Sequence, residues 1–300
     1  MNIKNIAIVG GTHGNEYTGI YLIKRMQRTQ FQAKWNGLEI ALMIGNPRAY
    51  EQCSRFVDTD LNRAFKNEDL LNIELPGYEA NRAKVINQAI GPKGSSRTEL
   101  IIDMHTTTAN MGVTIILVND HPYNFQLAAY IKHKLPNCFI YYTSAKSYTG
   151  EADHPFLNSI APYGFLLEVG PIANGIVRHD ILEQTSMAIG AALEFVSKTN
   201  TGECPMPTNS LEVYEHVRTV AFPIDAADNI NGFIHRELQD SDYQPLQKGD
   251  PIFETIEGDT ICFADEGVFY PVFINEAAYY YKKIAFSLTQ KRVMKIKNTL

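Results

Sequence analysis

The sequence predicts an α/β protein: a mostly parallel, helix-covered central sheet, followed by a smaller β-rich C-terminal domain. Three features carry the expectation. Short apolar runs alternate with helix-period stretches through the first two hundred residues. The segment TNTGECPMPTNS, residues 199–210, is rich in Gly, Pro, Asn and Thr and poor in apolar residues, as a domain boundary is. Beyond it the pattern turns β-like. The domains expected are therefore 1–200 and 201–300.

Taken in order, Ile6–Val9 is an apolar run stopped by Gly10-Gly11, the signature of a buried parallel strand. Tyr17–Gln30 places Ile20, Ile23 and Met26 at helical spacing. Leu38–Ile44 reads as a strand ended by Asn46-Pro47, Glu79–Ile90 as a helix, and Leu100–Met104 and Val113–Val118 as strands. A helix around Phe125–Lys134, strands at Phe139–Tyr142 and Phe165–Val169, and a long helix over Val177–Lys198 complete the first part. The second part reads as strands over Val213–Val220, Gly232–His235, Pro251–Thr255, Thr260–Phe263 and Val268–Ile274.

Composition narrows the function classes. With 300 residues, 45% hydrophobic and 20% charged, the chain is an ordinary globular one, neither disordered nor fibrous. A formal net charge of −6 repels phosphate backbones, so no nucleic-acid partner is expected. No stretch of about 18 apolar residues exists to span a bilayer, and the N-terminal segment does not read as a secretory signal. The four cysteines, Cys53, Cys138, Cys204 and Cys262, are scattered without a CxxC pair, which predicts free buried thiols and a cytoplasmic location.

The chemistry-bearing residues sit at the ends of expected strands. His13-Gly14-Asn15-Glu16 joins the first strand to the first helix, and a His and a Glu three apart converge on one cation at such a turn. Catalytic zinc of the two-His, one-Glu type needs a third ligand, and His105, just after the strand Leu100–Met104, is the candidate. Asp103 shares its face and is placed to orient the imidazole. A lone HxxE also arises by chance. Arg55 and Arg63, with Asn62 between them, suit a carboxylate, although arginines paired to Asp58 and Asp60 on a solvated loop would look the same. Glu168 ends the apolar run Gly164–Leu167, which suits a general base of raised pKa, or a salt-bridged strand end. Three consecutive tyrosines in Asn275–Lys283 cannot all face one core, so a phenol and a lysine are expected to reach the site.

The segments GGTHGNEYTG, NPRAYEQCSRFVDTDLNRAF, DMHTTTANMG, LEVGP and YPVFINEAAYYYKKIAF run in this order along nearly the whole chain. Together they resemble the aspartoacylase family, the succinylglutamate desuccinylase/aspartoacylase group of zinc carboxypeptidase-like hydrolases. The resemblance implies that 1–200 is a zinc carboxypeptidase-like catalytic domain and 201–300 a β-rich domain capping its site, with one Zn2+ per chain on His13, Glu16 and His105 and Glu168 as general base and then acid. It implies that Arg55 polarises the scissile carbonyl, and that Asn62, Arg63 and Tyr279 hold the substrate's α-carboxylate. The implied substrate is a small N-acyl amino acid, N-acetyl-L-aspartate first; members are often dimeric, so a homodimer is a further expectation. One departure bears on the substrate. Mammalian members carry an arginine where this chain has Asn158, and a tyrosine where it has His154. Lys283 and His154 are the candidates to compensate, and the alternative is a deacylase of N-acyl neutral or aromatic amino acids. A non-catalytic metabolite-binding protein is the reading from another class.

Overall fold

The computed structural model describes residues 2–143, 153–203, 205 and 208–296. Its main sheet has ten strands in the order β2-β1-β3-β6-β4-β5-β7-β13-β12-β9. The first six are β1 (Asn5–Gly10), β2 (Glu39–Ile44), β3 (Leu100–Thr106), β4 (Gly112–Leu117), β5 (Phe139–Tyr142) and β6 (Tyr163–Gly170). Among them β2, β1, β3 and β6 pair in parallel and β4 with β5, while β4 runs antiparallel to β6. The mostly parallel sheet is as expected.

Among the described residues its α-helices are α1 (Tyr17–Arg28), α2 (Pro47–Glu51), α3 (Asn67–Leu71), α4 (Tyr78–Ile90), α5 (Pro122–Lys134) and α6 (His179–Asn200). Strand side chains alternate faces. Ile115, Leu117, Phe165 and Leu167 therefore join the core against Leu22 and Ile23 of α1, Leu127 and Ile131 of α5, and Ile189 and Leu193 of α6. Their neighbours Ile116 and Leu166 face the other way, towards Phe156 and Phe273. That second face carries the site.

The C-terminal strands extend this sheet. β7 (Ser210–Ala221) adds to β5 in parallel through Tyr141↔Tyr214 and Tyr142↔Glu215. β13 (Ile284–Lys295) then lies antiparallel to β7, followed by β12 (Val268–Val272) and β9 (Leu246–Gln247). A separate three-stranded sheet holds β8 (Gly232–Ile234), β10 (Pro251–Thr255) and β11 (Thr260–Cys262). β13 escaped the sequence reading because its outer half, Gln290–Lys295, is mostly polar and mostly exposed, and its long-range partner β7 supplies the pairing that local pattern does not show. The strand expected to run to Ile274 stops at Val272, because Phe273 and Asn275 adopt left-handed backbone with φ of 55° and 59°.

Cysteine burial also departs from expectation. Cys138 is buried, and its thiol is pushed up to about 12 by burial, but Cys53 and Cys262 are exposed free thiols. Cys53 lies in the turn after α2 and Cys262 at the end of the short strand β11, where no layer covers them. Cys204 lies outside the described residues.

Candidate active site

The turn between β1 and α1 is shaped by close packing. A Cβ on Gly14 would stand 2.1 Å from the Ala49 carbonyl carbon of α2, so only glycine lets the turn seat there. Gly11 at φ 70° relieves the same bend one turn earlier. Glu16 occupies the N-cap position of α1 yet makes no cap hydrogen bond. Its carboxylate turns inward instead. Oε1 lies 2.6 Å from His13 Nδ1, and Oε2 lies 3.0 Å from His105 Nδ1 and accepts the Thr106 N–H at 3.2 Å.

The two imidazoles face each other, Nδ1 to Nδ1, at 3.1 Å. Each is held from behind by a buried carboxylate: His13 Nε2 lies 3.0 Å from Asp60 Oδ1, and His105 Nε2 lies 2.8 Å from Asp103 Oδ2. These acceptors hold the ring proton on Nε2 and leave both Nδ1 lone pairs aimed at one point. Two lone pairs and a carboxylate in contact form a group that could hold a metal ion. The donor set is the two-His, one-carboxylate set of catalytic zinc, and these three residues are the one such buried group found among the described residues. The electrostatics agree. Burial pushes the Glu16 carboxyl up, but His13 and His105 outweigh it and hold the group well below the carboxylate range.

Arg55 reaches the same cluster from the loop after α2. It donates to Glu16 Oε1 at 3.2 Å and Asp60 Oδ2 at 3.3 Å, while its buried Nε has no partner among the described residues. Burial disfavours the guanidinium charge, but Glu16 and Asp60 more than restore it. The loop is held by Glu79, wholly buried, which accepts from Asn46 and from the backbone N–H groups of Val57, Asp58 and Thr59.

Glu168 on β6 sits beside His105 on β3 in the sheet register. Its carboxylate makes no hydrogen bond among the described residues. Burial pushes it well above its ordinary value, Glu16 and Glu276 add to that, and His105 and Arg55 pull the other way. It is buried, without a hydrogen-bond partner among the described residues, and next to a group that could hold a metal ion.

Asn62, Arg63, Phe156, Phe273 and Tyr279 line the cavity with these groups. Asn62 accepts from the Leu157 N–H at 2.8 Å, and the Arg63 guanidinium lies 5.1 Å over the Phe156 ring. Of the three tyrosines, Tyr279 faces the cavity, Tyr280 packs on Phe222, and Tyr281 is exposed against Phe56. Among the described residues no lysine joins the lining. Lys283 pairs with the Asp228 carboxylate and donates to its backbone oxygen at 2.6 Å, away from the cavity. Asn158 is buried in a 3-10 turn, Leu157–Ile160, and His154 stacks on Phe156; neither is among the lining residues. The structure thus gathers His13, Glu16, Arg55, Asn62, Arg63, His105, Glu168 and Tyr279, and leaves Lys283, Asn158 and His154 outside.

Two residues escaped the sequence reading. Asp60 appeared only as an ion-pair partner, yet it supports His13, Arg55 and the Asn62 N–H at once. Glu276 accepts from the Thr107 and Thr108 hydroxyls and the Thr108 N–H, and its other oxygen caps the Ala278 N–H at 2.9 Å. It ties the Tyr279 turn to the loop after β3. A carboxylate just before the tyrosine run was the signal available for it.

Strand-end histidines, an acidic third donor and an unpaired buried carboxylate define a hydrolase site on an open α/β sheet. Residues 2–196 match the family model "Succinylglutamate desuccinylase/Aspartoacylase catalytic domain", and residues 209–291 match "AstE/AspA barrel-sandwich hybrid domain". The chain is 43% identical over 294 residues to a probable aspartoacylase of Trichodesmium erythraeum, covering 98% of this chain and 99% of that one. It is 40% identical to the aspartoacylase of Mus musculus, over 99% and 95% of the two chains. It is 39% identical to the N-acyl-aromatic-L-amino acid amidohydrolase (carboxylate-forming) of Xenopus laevis, over 97% and 95%. The crystal structure of murine aminoacylase 3 superposes with a TM-score of 0.93 at 32% identity, over 99% and 98%. The chain belongs to the succinylglutamate desuccinylase/aspartoacylase family.

Proposed function

We propose that this chain is a zinc-dependent amidohydrolase that splits small N-acyl amino acids, N-acetyl-L-aspartate foremost, into a carboxylate and a free amino acid. The observation that carries the reading is the pair of imidazole Nδ1 atoms 3.1 Å apart over Glu16, with Glu168 unpaired in the same cavity. His13, Glu16 and His105 would hold the zinc, which supplies Lewis acidity and lowers the pKa of water. The full-length match to relatives named aspartoacylase supports the substrate.

The chain's own groups divide the remaining work. Glu168 accepts a proton from the attacking water as the new C–O bond forms, then returns it to the departing nitrogen as the C–N bond breaks. Arg55, fixed in place by Glu16 and Asp60, offers its free Nε–H to the carbonyl oxygen as negative charge develops there. Asn62, Arg63 and Tyr279 receive the α-carboxylate. The cavity, about 90 Å³, is on the scale of a small ligand.

A second reading, deacylation of N-acyl neutral or aromatic amino acids, draws support from one feature. Arg55 and Arg63 are the only lysine or arginine side chains among the described lining residues, so among these residues a second substrate carboxylate finds no cation of its own. The ratio of kcat/KM for N-acetyl-aspartate to that for N-acetyl-phenylalanine decides between them. A ratio well above one upholds the aspartate reading; one well below rejects it.

A further inference from the structure

Arg55 and Asp60 stand on a loop between α2 and α3 and belong to no helix or strand. At one end the Arg55 carbonyl accepts the Gly14 N–H at 3.1 Å, in the turn that carries His13 and Glu16. At the other end Asp60 supports both His13 and the Arg55 guanidinium. Between these ends, no backbone–backbone hydrogen bond among the described residues reaches Val57, Asp58 or Thr59. Their three N–H groups go to one side chain. Glu79 Oε1 accepts Val57 at 2.6 Å, and Oε2 accepts Asp58 at 2.9 Å and Thr59 at 3.2 Å. Glu79 itself lies outside the cavity lining.

That carboxylate is mounted on the sheet. Glu79 stands in the first turn of α4, just after Gly77, whose φ of 109° starts the helix. Asp58 accepts the Tyr78 N–H at 2.6 Å, so the loop and the helix start hold each other. One turn on, on the same helix face, Arg82 donates from Nε to the Gly45 carbonyl at 2.6 Å and from a terminal nitrogen to that of Ile44 at 2.8 Å. Those carbonyls lie at the end of β2, where a Cβ on Gly45 would stand 2.9 Å from the Thr12 Cα. The same sheet edge thus seats the His13 turn and, through α4, Glu79. Burial pushes the Glu79 carboxyl up, but the Val57, Asn46, Asp58 and Thr59 donors outweigh it and hold the group below its ordinary value.

Both oxygens must accept. Oε1 also takes Asn46 Nδ2 at 3.0 Å, while Asn46 Oδ1 caps α2 by accepting the Ala49 N–H at 3.2 Å. Asn46 therefore cannot turn its amide over without losing that cap. In Glu79→Gln the amide NH2 must face one of the two donor pairs, so two donors lose their acceptor whichever way it turns. We propose that Glu79 is a positioning residue of the active site: its carboxylate sets where the loop holds Arg55 and Asp60, and through them the guanidinium at the scissile carbonyl and the imidazole of His13. The arm through Arg55 rests on the amidohydrolase reading above; the arm through Asp60 needs only the metal site.

Two double-mutant cycles test it, on variants that a thermal melt shows to be folded. In the first, kcat is measured at saturating zinc on the N-acyl amino acid that the parent protein turns over best. Glu79→Gln lowers it about 10- to 100-fold, the scale of a misplaced catalytic group, but less than about threefold on an Arg55→Ala background. In the second, zinc affinity by chelator competition falls about tenfold in Glu79→Gln, but less than about threefold on an Asp60→Asn background. A contribution to the fold alone would multiply in full on either background. Should Glu79→Gln not fold, Glu79→Asp keeps the charge and draws both oxygens back by one methylene; it gives smaller single losses with the same non-additivity. An unchanged kcat or zinc affinity in a folded variant, or losses that multiply in full in either cycle, would overturn the assignment. A parent protein that hydrolysed no N-acyl amino acid would sink the amidohydrolase reading, and the zinc cycle alone would then decide on Glu79.

Discussion

Asp103 is wholly buried and makes two contacts: it accepts the Thr12 hydroxyl at 2.6 Å and faces His105 Nε2 at 2.8 Å. Asp103→Asn keeps the shape and removes the charge. In one orientation the amide keeps Thr12 and presents N–H to His105 Nε2, driving the ring proton onto Nδ1, the atom that faces Glu16 and His13. In the other it keeps His105, but as a neutral acceptor that makes the imidazole a weaker base. Both outcomes weaken the metal site. Losing such a supporting group costs typically 10- to 100-fold in metal affinity, about 1.4 to 2.7 kcal/mol. Competition for zinc against a chromogenic chelator measures it, and a thermal melt confirms that the variant is folded. Zinc affinity within threefold of the parent protein, in a folded variant, would refute the role given to Asp103.

Further outcomes are expected. Glu168→Gln retains zinc but loses about 10²- to 10⁴-fold in kcat, because the amide neither takes nor returns a proton; metal analysis and acetate release check both halves. Lys93→Met raises KM several-fold with kcat little changed. The Lys93 ammonium bonds the Phe65 and His154 backbone oxygens at 2.8 and 2.6 Å and pairs with Asp153, clamping the Asn62–Arg63 turn to the Phe156 segment; an unchanged KM in a folded variant rejects the clamp. Asp242 is buried with one oxygen unpartnered, and burial pushes its carboxyl from 3.8 up to about 7 despite the Ile274 N–H it accepts. The folded chain therefore holds this proton more tightly than the unfolded chain, so its contribution is full below pH ~4 and is lost as pH rises towards 7, by about 4 kcal/mol. Asp242→Asn removes that loss, and denaturant melts at pH 5 and pH 8 on both proteins show whether the difference between them grows with pH.

Much of the site was legible because its residues are fixed by local rules. His13, Glu16 and His105 lie where short buried strands end, and strand ends read clearly from apolar runs stopped by glycine or a polar residue. Asp103 was legible for the same reason, being two residues before His105 on one strand face. Asp60 and Glu276 were not, since their roles depend on partners that only the folded chain brings near: His13 for one, Thr107 and Thr108 for the other. Lys283 shows the converse. Its charge type suited a carboxylate, but a left-handed backbone at φ 55° and the nearby Asp228 turn it outward. β13 was hidden by its polar outer half, although it makes the longest pairing in the sheet.

X-ray absorption at the zinc edge of the purified, zinc-loaded protein bears most directly on the whole account. It should show one zinc per chain with two imidazole nitrogens at about 2.0–2.1 Å and oxygen donors completing the shell, and the imidazole signal should fall by half in His105→Ala. Zinc held by sulfur, or an imidazole signal untouched by that substitution, would mean that these three side chains do not share a metal.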